Sequence, residues 1–170
     1  MSLGKWRKSL RGSKGMIIGA GGAARSVGYA LARSGVKTLR IANWKAGEAE
    51  SLARDLRKIF PRIQLACMSL EEGENSLSDC EWIIQATSLG LKKGEPSPLS
   101  LNKASSAGWV VDLIYHRQTE FLSEAKRRKI PFKNGLEMLL QQGALSFEMW
   151  TGKKAPLREM TKTLLQSLDA

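Results

Sequence analysis

Cysteine is scarce in this chain: Cys67 and Cys80 are the only two, with twelve residues between them and no Cys-x-x-Cys pair. That excludes a disulfide framework and the usual zinc spacings, and it suits a reduced, cytoplasmic protein. No apolar run approaches the length of a membrane span, and the N-terminus lacks the apolar stretch and small-residue cleavage site of a secretory signal. Histidine occurs once, at His116. Acidic residues are few, 16 Asp and Glu against 27 Lys and Arg, for a formal net charge of +11. Such a surplus suits nucleic acid, a membrane surface or a phosphorylated ligand. Here it is spread along the chain. The densest clusters, Lys5, Arg7, Lys8, Arg11 and Lys14, then Lys126 to Lys129, lack the interleaved aromatics of a base-stacking platform. They read as solvated surface, so neither a nucleic-acid nor a membrane partner is expected.

What is present is alternation. The chain has 170 residues, 42% of them hydrophobic, enough for one domain. Short apolar runs alternate with longer segments of helical period, the mark of βαβ units. Strands are predicted at Met16–Ile18, Thr38–Ala42, Ile63–Cys67, Trp82–Gln85, Trp109–Leu113 and Ile130–Lys133. Helices are predicted at Gly22–Ser34 with Gly35 as the stop, at Gly47–Ile59 ahead of Pro61, and at Thr119–Arg128. Two more close the chain, Gly135–Trp150 and Pro156–Leu168. Between the third and fourth strands a polar loop is expected, and Gly90 to Pro98 is a Gly-, Pro- and Lys-rich loop. This is an α/β chain of Rossmann type: a doubly wound, mostly parallel six-stranded sheet, order 3-2-1-4-5-6, with helices on both faces. Residues 1–14 read as a linker or a vector-derived start, and 15–170 as the dinucleotide-binding domain.

The first strand runs into Gly19-Ala20-Gly21-Gly22-Ala23-Ala24 directly before a helix. Gly19 permits a tight turn, Gly21 lets backbone amides approach a pyrophosphate, and Ala24 lets the helix pack close to the strand. The free amides and dipole at the helix start favour a diphosphate, and Arg25 could add a charge contact. The strand–turn–helix setting separates this motif from a chance glycine cluster. No Gly-Lys-Ser/Thr follows, which excludes a Walker-type loop.

The cofactor-selecting residue is expected about 20 residues past the glycines, where an Asp or Glu would hold the ribose 2′-OH of NAD. The chain offers Asn43, Trp44 and Lys45 there. With no carboxylate in that place the 2′-phosphate of NADP is not repelled. Lys45 could pair with it and Trp44 could stack on adenine, or both could simply be solvated. NADP is favoured, and NAD stays open.

Three segments carry a resemblance: GAGGAAR at the glycine turn; Ala86-Thr87-Ser88-Leu89-Gly90 after the fourth strand; and the run from Asn134-Gly135-Leu136-Glu137-Met138-Leu139-Leu140 through Gln142 to Phe147-Glu148-Met149-Trp150-Thr151-Gly152. Together they resemble the C-terminal, cofactor-binding domain of the shikimate dehydrogenases, across about Met16 to Leu168. The resemblance implies reversible NADP-linked oxidation of shikimate to 3-dehydroshikimate, in aromatic amino-acid biosynthesis. It implies Gly19 to Ala24 at the pyrophosphate, Asn43 to Lys45 at the adenosine end, and Thr87, Ser88 and Leu89 at the ribose. Leu113, Gly135 and Met138 would sit at the nicotinamide, with Tyr115 and Gln142 on shikimate. Met138 and Gln142, four apart, project from one stripe of one helix. A second stripe, Leu136, Leu139, Leu140, Gly143, Phe147 and Trp150, is expected as a core face, so this helix should be packed on two sides.

The chain departs from the family pattern at Trp44-Lys45 (Arg-Thr), at Glu48 (a basic residue), at Gln85 (Asn) and at His116-Arg117 (Asn-Pro). The first two changes weaken the expected 2′-phosphate clamp. Hydride transfer also needs a group to take the hydroxyl proton, which in the family is a Lys and Asp pair on an N-terminal substrate domain. That domain is not in these residues, and neither His116 nor Asp112 is expected to replace it, so no catalytic residue is assigned here. The expectation is a chain that binds cofactor with little or no turnover alone, meeting shikimate through the missing domain. The alternatives are a non-catalytic dinucleotide-sensing module, a quinate/shikimate dehydrogenase using NAD and, last, a nucleic-acid binder. No metal site is expected, and homo-oligomer formation is left open.

Overall fold

The computed structural model describes residues 9–169, so Lys5, Arg7 and Lys8 of the first basic cluster, like most of the expected linker, lie outside it. Six parallel strands form one sheet in the order β3-β2-β1-β4-β5-β6, as expected. They are β1 Lys14–Ile18, β2 Thr38–Ala42, β3 Gln64–Met68, β4 Trp82–Gln85, β5 Trp109–Asp112 and β6 Phe132–Lys133. The helices are α1 Gly22–Arg33, α2 Ala46–Ile59, α3 Leu70–Asn75, α4 Glu120–Arg127, α5 Leu136–Thr151 and α6 Leu157–Asp169.

Strand side chains alternate between the two faces, and each face builds its own core. On one, Ile17, Ile41, Ile84 and Val111 pack with Val27 and Leu31 of α1 and Leu52 and Leu56 of α2. On the other, Met16, Ile18, Ile83 and Val110 pack with Phe121, Leu122 and Ala125 of α4. Each such fully buried side chain contributes about 1.5–3 kcal/mol relative to exposure. Burial on both faces explains why the central strands are continuous apolar runs. Gly15 leaves room for the Trp82 indole, which a Cβ there would meet at 2.1 Å.

Several expectations need correction. The first core residues precede residue 15: Leu10 is buried, and Ser13 accepts a hydrogen bond from Trp82 Nε1 at 2.8 Å. The polar loop after β3 contains α3, announced by a capping box in which Ser69 and Glu72 satisfy each other's backbone amides. Ser-Leu-Glu-Glu was the available signal. The connection from β4 to β5 holds no helix, in keeping with the loop expected over Gly90 to Pro98. Its buried Leu99 and Leu101 are instead anchored through the backbone: Ser100 N–H donates to Glu74 at 2.8 Å and Leu101 N–H to Glu124 at 2.9 Å. Finally, the expected core stripe of α5 is only half-buried at Leu136, Leu139 and Leu140, and Trp150 is 85% exposed. Ala144 is the only α5 residue that is fully buried.

Candidate functional site

β1 and β4 are neighbours whose following segments leave in different directions, which opens a crevice at their C-terminal ends. A cleft of about 500 Å³ lies there. The glycine turn forms one wall, from Gly19 to Ala23. Asn43 at the end of β2 adds a second side, and Thr87 and Ser88 after β4 a third. Leu113 to His116 after β5 complete the lining.

The glycines of the turn differ in what demands them. Gly19 has φ +108°, and a Cβ there would meet the Ala86 carbonyl oxygen at 2.8 Å, so the fold itself requires glycine. At Gly21 and Gly22 a Cβ would meet nothing within 4 Å, and neither has a positive φ. Neither backbone strain nor internal packing accounts for them. Gly21 is the N-cap of α1, no side chain caps that helix, and its first turn holds no acidic residue. The first amides of a helix have no partner within it, so these face the cleft uncapped, as a bound diphosphate would need. The glycine turn therefore fits a dinucleotide. Ala24 is fully buried behind it, packed with Ile17 in one core.

The opposite wall is held by buried polar groups. Gln85 donates from Nε2 to the Leu89 carbonyl at 2.8 Å and accepts from Thr87 N–H, while Thr87 Oγ1 accepts from Leu89 N–H at 3.1 Å. This side chain shapes the Thr87–Leu89 turn. Asp112 is fully buried; it accepts from Thr119 Oγ1 at 2.6 Å and from Ile114 N–H at 3.0 Å. Burial pushes its carboxyl above the usual aspartate value, and the two hydrogen bonds pull it part of the way back. Asp112 thus supports the loop that carries Tyr115. His116 Nε2 lies 3.2 Å from the Leu91 carbonyl oxygen, and its ring stands edge-on to Tyr115.

Of the residues singled out from sequence, Gly19 to Ala23, Asn43, Thr87, Ser88, Leu113 and Tyr115 line the cleft. Ala24, Trp44, Lys45, Leu89, Gly135, Met138 and Gln142 do not. Gly135 packs so closely that a Cβ would lie 2.0 Å from the Leu113 carbonyl oxygen. That contact holds the start of α5 against the cleft wall. Met138 is half-buried, Gln142 exposed and Trp44 86% exposed. Arg25 does not reach toward the turn. Its guanidinium bonds Asp55 at 2.7 Å and Ser51 at 3.0 Å, because α2 runs alongside α1 and offers them. Leu91 and Ile114 line the cleft without having been singled out; as plain apolar residues in loops they carried no signal. Among the described residues no cluster could hold a metal ion, and no helix is long and apolar enough to cross a membrane.

The family model for shikimate / quinate 5-dehydrogenases matches residues 3–113. The chain belongs to that family. A second model, for the shikimate 5'-dehydrogenase C-terminal domain, matches residues 135–165. A curated relative, the shikimate dehydrogenase (NADP(+)) of Methanopyrus kandleri, is 36% identical over 162 residues, covering 93% of this chain and 56% of its own length. The solved structure of a shikimate dehydrogenase in complex with NADP+ superposes with a TM-score of 0.81 at 30% identity, over 93% of this chain and 55% of that one. A shikimate 5-dehydrogenase of Listeria monocytogenes, solved with shikimate and NAD, gives a TM-score of 0.77 at 28% identity, over 94% and 59%. The chain spans a little over half the length of the curated relatives it matches.

Proposed function

We propose that this chain is the dinucleotide-binding part of an NADP-linked shikimate dehydrogenase, which interconverts shikimate and 3-dehydroshikimate in aromatic amino-acid biosynthesis. The observation that carries the reading is the uncapped start of α1 behind Gly21 and Gly22, two glycines that nothing among the described residues demands. The amides there bind the pyrophosphate. Asn43 meets the adenosine end, and Thr87 and Ser88 the ribose beside the nicotinamide. Leu113, with Gly135 and Met138 at the start of α5, borders the nicotinamide, and Tyr115 and Gln142 face the substrate. The bound nicotinamide supplies the hydride acceptor.

The hydroxyl proton has to go elsewhere. Asp112 is locked between Thr119 and Ile114, and His116 is engaged with the Leu91 carbonyl. On this reading neither takes the proton; a separate substrate-binding unit, outside these 170 residues, supplies the acid–base pair. The expected result is saturable calorimetric heat with NADP on the folded chain, with little or no turnover when shikimate is added. No heat with either pyridine dinucleotide sinks the binding assignment. Turnover comparable to a complete dehydrogenase sinks the division of labour.

A further inference from the structure

The end of β2 carries a carboxylate that spacing alone conceals. Glu48 belongs to the first turn of α2, yet its Oε2 accepts from Asn43 Nδ2 at 3.1 Å and its Oε1 lies 3.5 Å from Lys45 Nζ. Asn43 also donates to the Lys45 carbonyl at 2.9 Å and lines the cleft. The three residues therefore form a closed set on the cleft's lip. In a sheet of this topology the end of the second strand is where the adenosine ribose is read, by a carboxylate for a free 2′-OH or by a cation for a 2′-phosphate. Here both groups are present and face each other. Arg25, the other cation beside the glycine turn, is paired with Asp55, also on α2.

We infer that Glu48 sets the choice of cofactor: it holds Lys45, opposes a 2′-phosphate and accepts a ribose hydroxyl, so that NAD is taken about as readily as NADP. This rests on the dinucleotide-binding reading above. A carboxylate offers about four lone-pair sites. Asn43 and Lys45 leave acceptor capacity for a sugar hydroxyl, and the exposed lip lets a sugar approach. The 2′-phosphate of NADP would bring a second anion against Glu48, and the Lys45 ammonium, 3.5 Å from Glu48, would be shared between the two. Arg or Lys at position 48 would reverse both effects.

The test is calorimetric titration of the folded chain with NAD and with NADP, for the wild type and for Glu48→Gln, with circular dichroism confirming that both are folded. The wild-type dissociation constants are expected to agree within about tenfold, and Glu48→Gln to shift their ratio toward NADP by about tenfold or more, as removing a nearby like charge should. A wild type preferring NADP by more than about a hundredfold (about 2.7 kcal/mol) overturns the inference and leaves dinucleotide binding intact. A ratio unchanged in Glu48→Gln overturns the role of Glu48. Absence of heat with both cofactors defeats the binding reading itself, and this inference with it.

Discussion

Two tryptophans show how differently two regions of this chain are held. Trp82, in the middle of the sheet, is fully buried, stacks on Trp109 with ring centroids 5.9 Å apart, and has its indole N–H satisfied by Ser13. Trp150, in the last turn of α5, is 85% exposed, with Met149 82% and Leu145 61% exposed nearby. Helix α1 spends its apolar residues on the sheet, whereas α5 carries more apolar side chains than it buries. Hydrophobic pattern alone does not distinguish the two cases. An apolar helix has a surface to be covered, and the pattern does not say by what.

The contrast makes its largest prediction at these two positions. Trp82→Ala should cost about 3–5 kcal/mol, the usual penalty for emptying a large core site. Trp150→Ala should change stability by no more than about 0.5 kcal/mol. Urea denaturation of both variants checks this. A Trp150→Ala loss comparable to that of Trp82→Ala would mean that α5 is packed in solution, and the comparison would be broken.

The glycine turn sharpens the same distinction between what the fold needs and what a ligand needs. Gly19→Ala places a side chain at φ +108° against a carbonyl oxygen, and should destabilise the protein by about 1–3 kcal/mol. Gly21→Ala meets no atom of the described residues within 4 Å and should cost less than about 1 kcal/mol as an N-cap change. Its effect should fall on dinucleotide affinity, weakened about tenfold or more because the added methyl holds the pyrophosphate off the amides. Thermal melts paired with calorimetric titrations separate the two. Equal effects on stability, or unchanged affinity in Gly21→Ala, would count against assigning Gly21 to a ligand.

How much of this was legible in the sequence follows from the range of each interaction. Strand order and the glycine turn were readable because they rest on local periodicity and on residues adjacent in the chain: Met16 to Ile18, then Gly19 to Ala24. The short helix α3 was written in Ser69 and Glu72 and needed only the capping box to be recognised. The pairings of Arg25 with Asp55 and of Glu48 with Asn43 were not legible in the same way. Each depends on how α2 lies against its neighbours, and a side chain that could point at a ligand looks the same in sequence as one that points at a carboxylate. The exposure of Trp150 was not legible for a related reason: helical periodicity identifies a stripe, while only tertiary packing decides whether that stripe is covered.

The smallest expected effects come from two aspartates whose environments tilt stability in opposite directions with pH. Burial raises Asp112 above the usual 3.8 despite its bonds to Thr119 and Ile114. The folded chain then holds that proton more tightly than the unfolded one, so this residue's contribution falls as pH rises from about 3.8 through the folded value. Asp79 is the reverse case. Arg40, bonding it at 2.6 and 2.9 Å, draws it below the usual 3.8, so its contribution is present above that value and is lost as pH falls through the depressed one. With the Asp79 side chain 50% exposed, that contribution is about 0.5 kcal/mol after solvent screening. Urea midpoints between pH 3 and 7 should therefore lose part of their decline with rising pH in Asp112→Asn, and part of their acid-side loss in Asp79→Asn. If the Asp112→Asn profile runs parallel to the wild type across that range, the buried carboxyl is not titrating there, and one protonation state holds the loop bearing Tyr115 throughout.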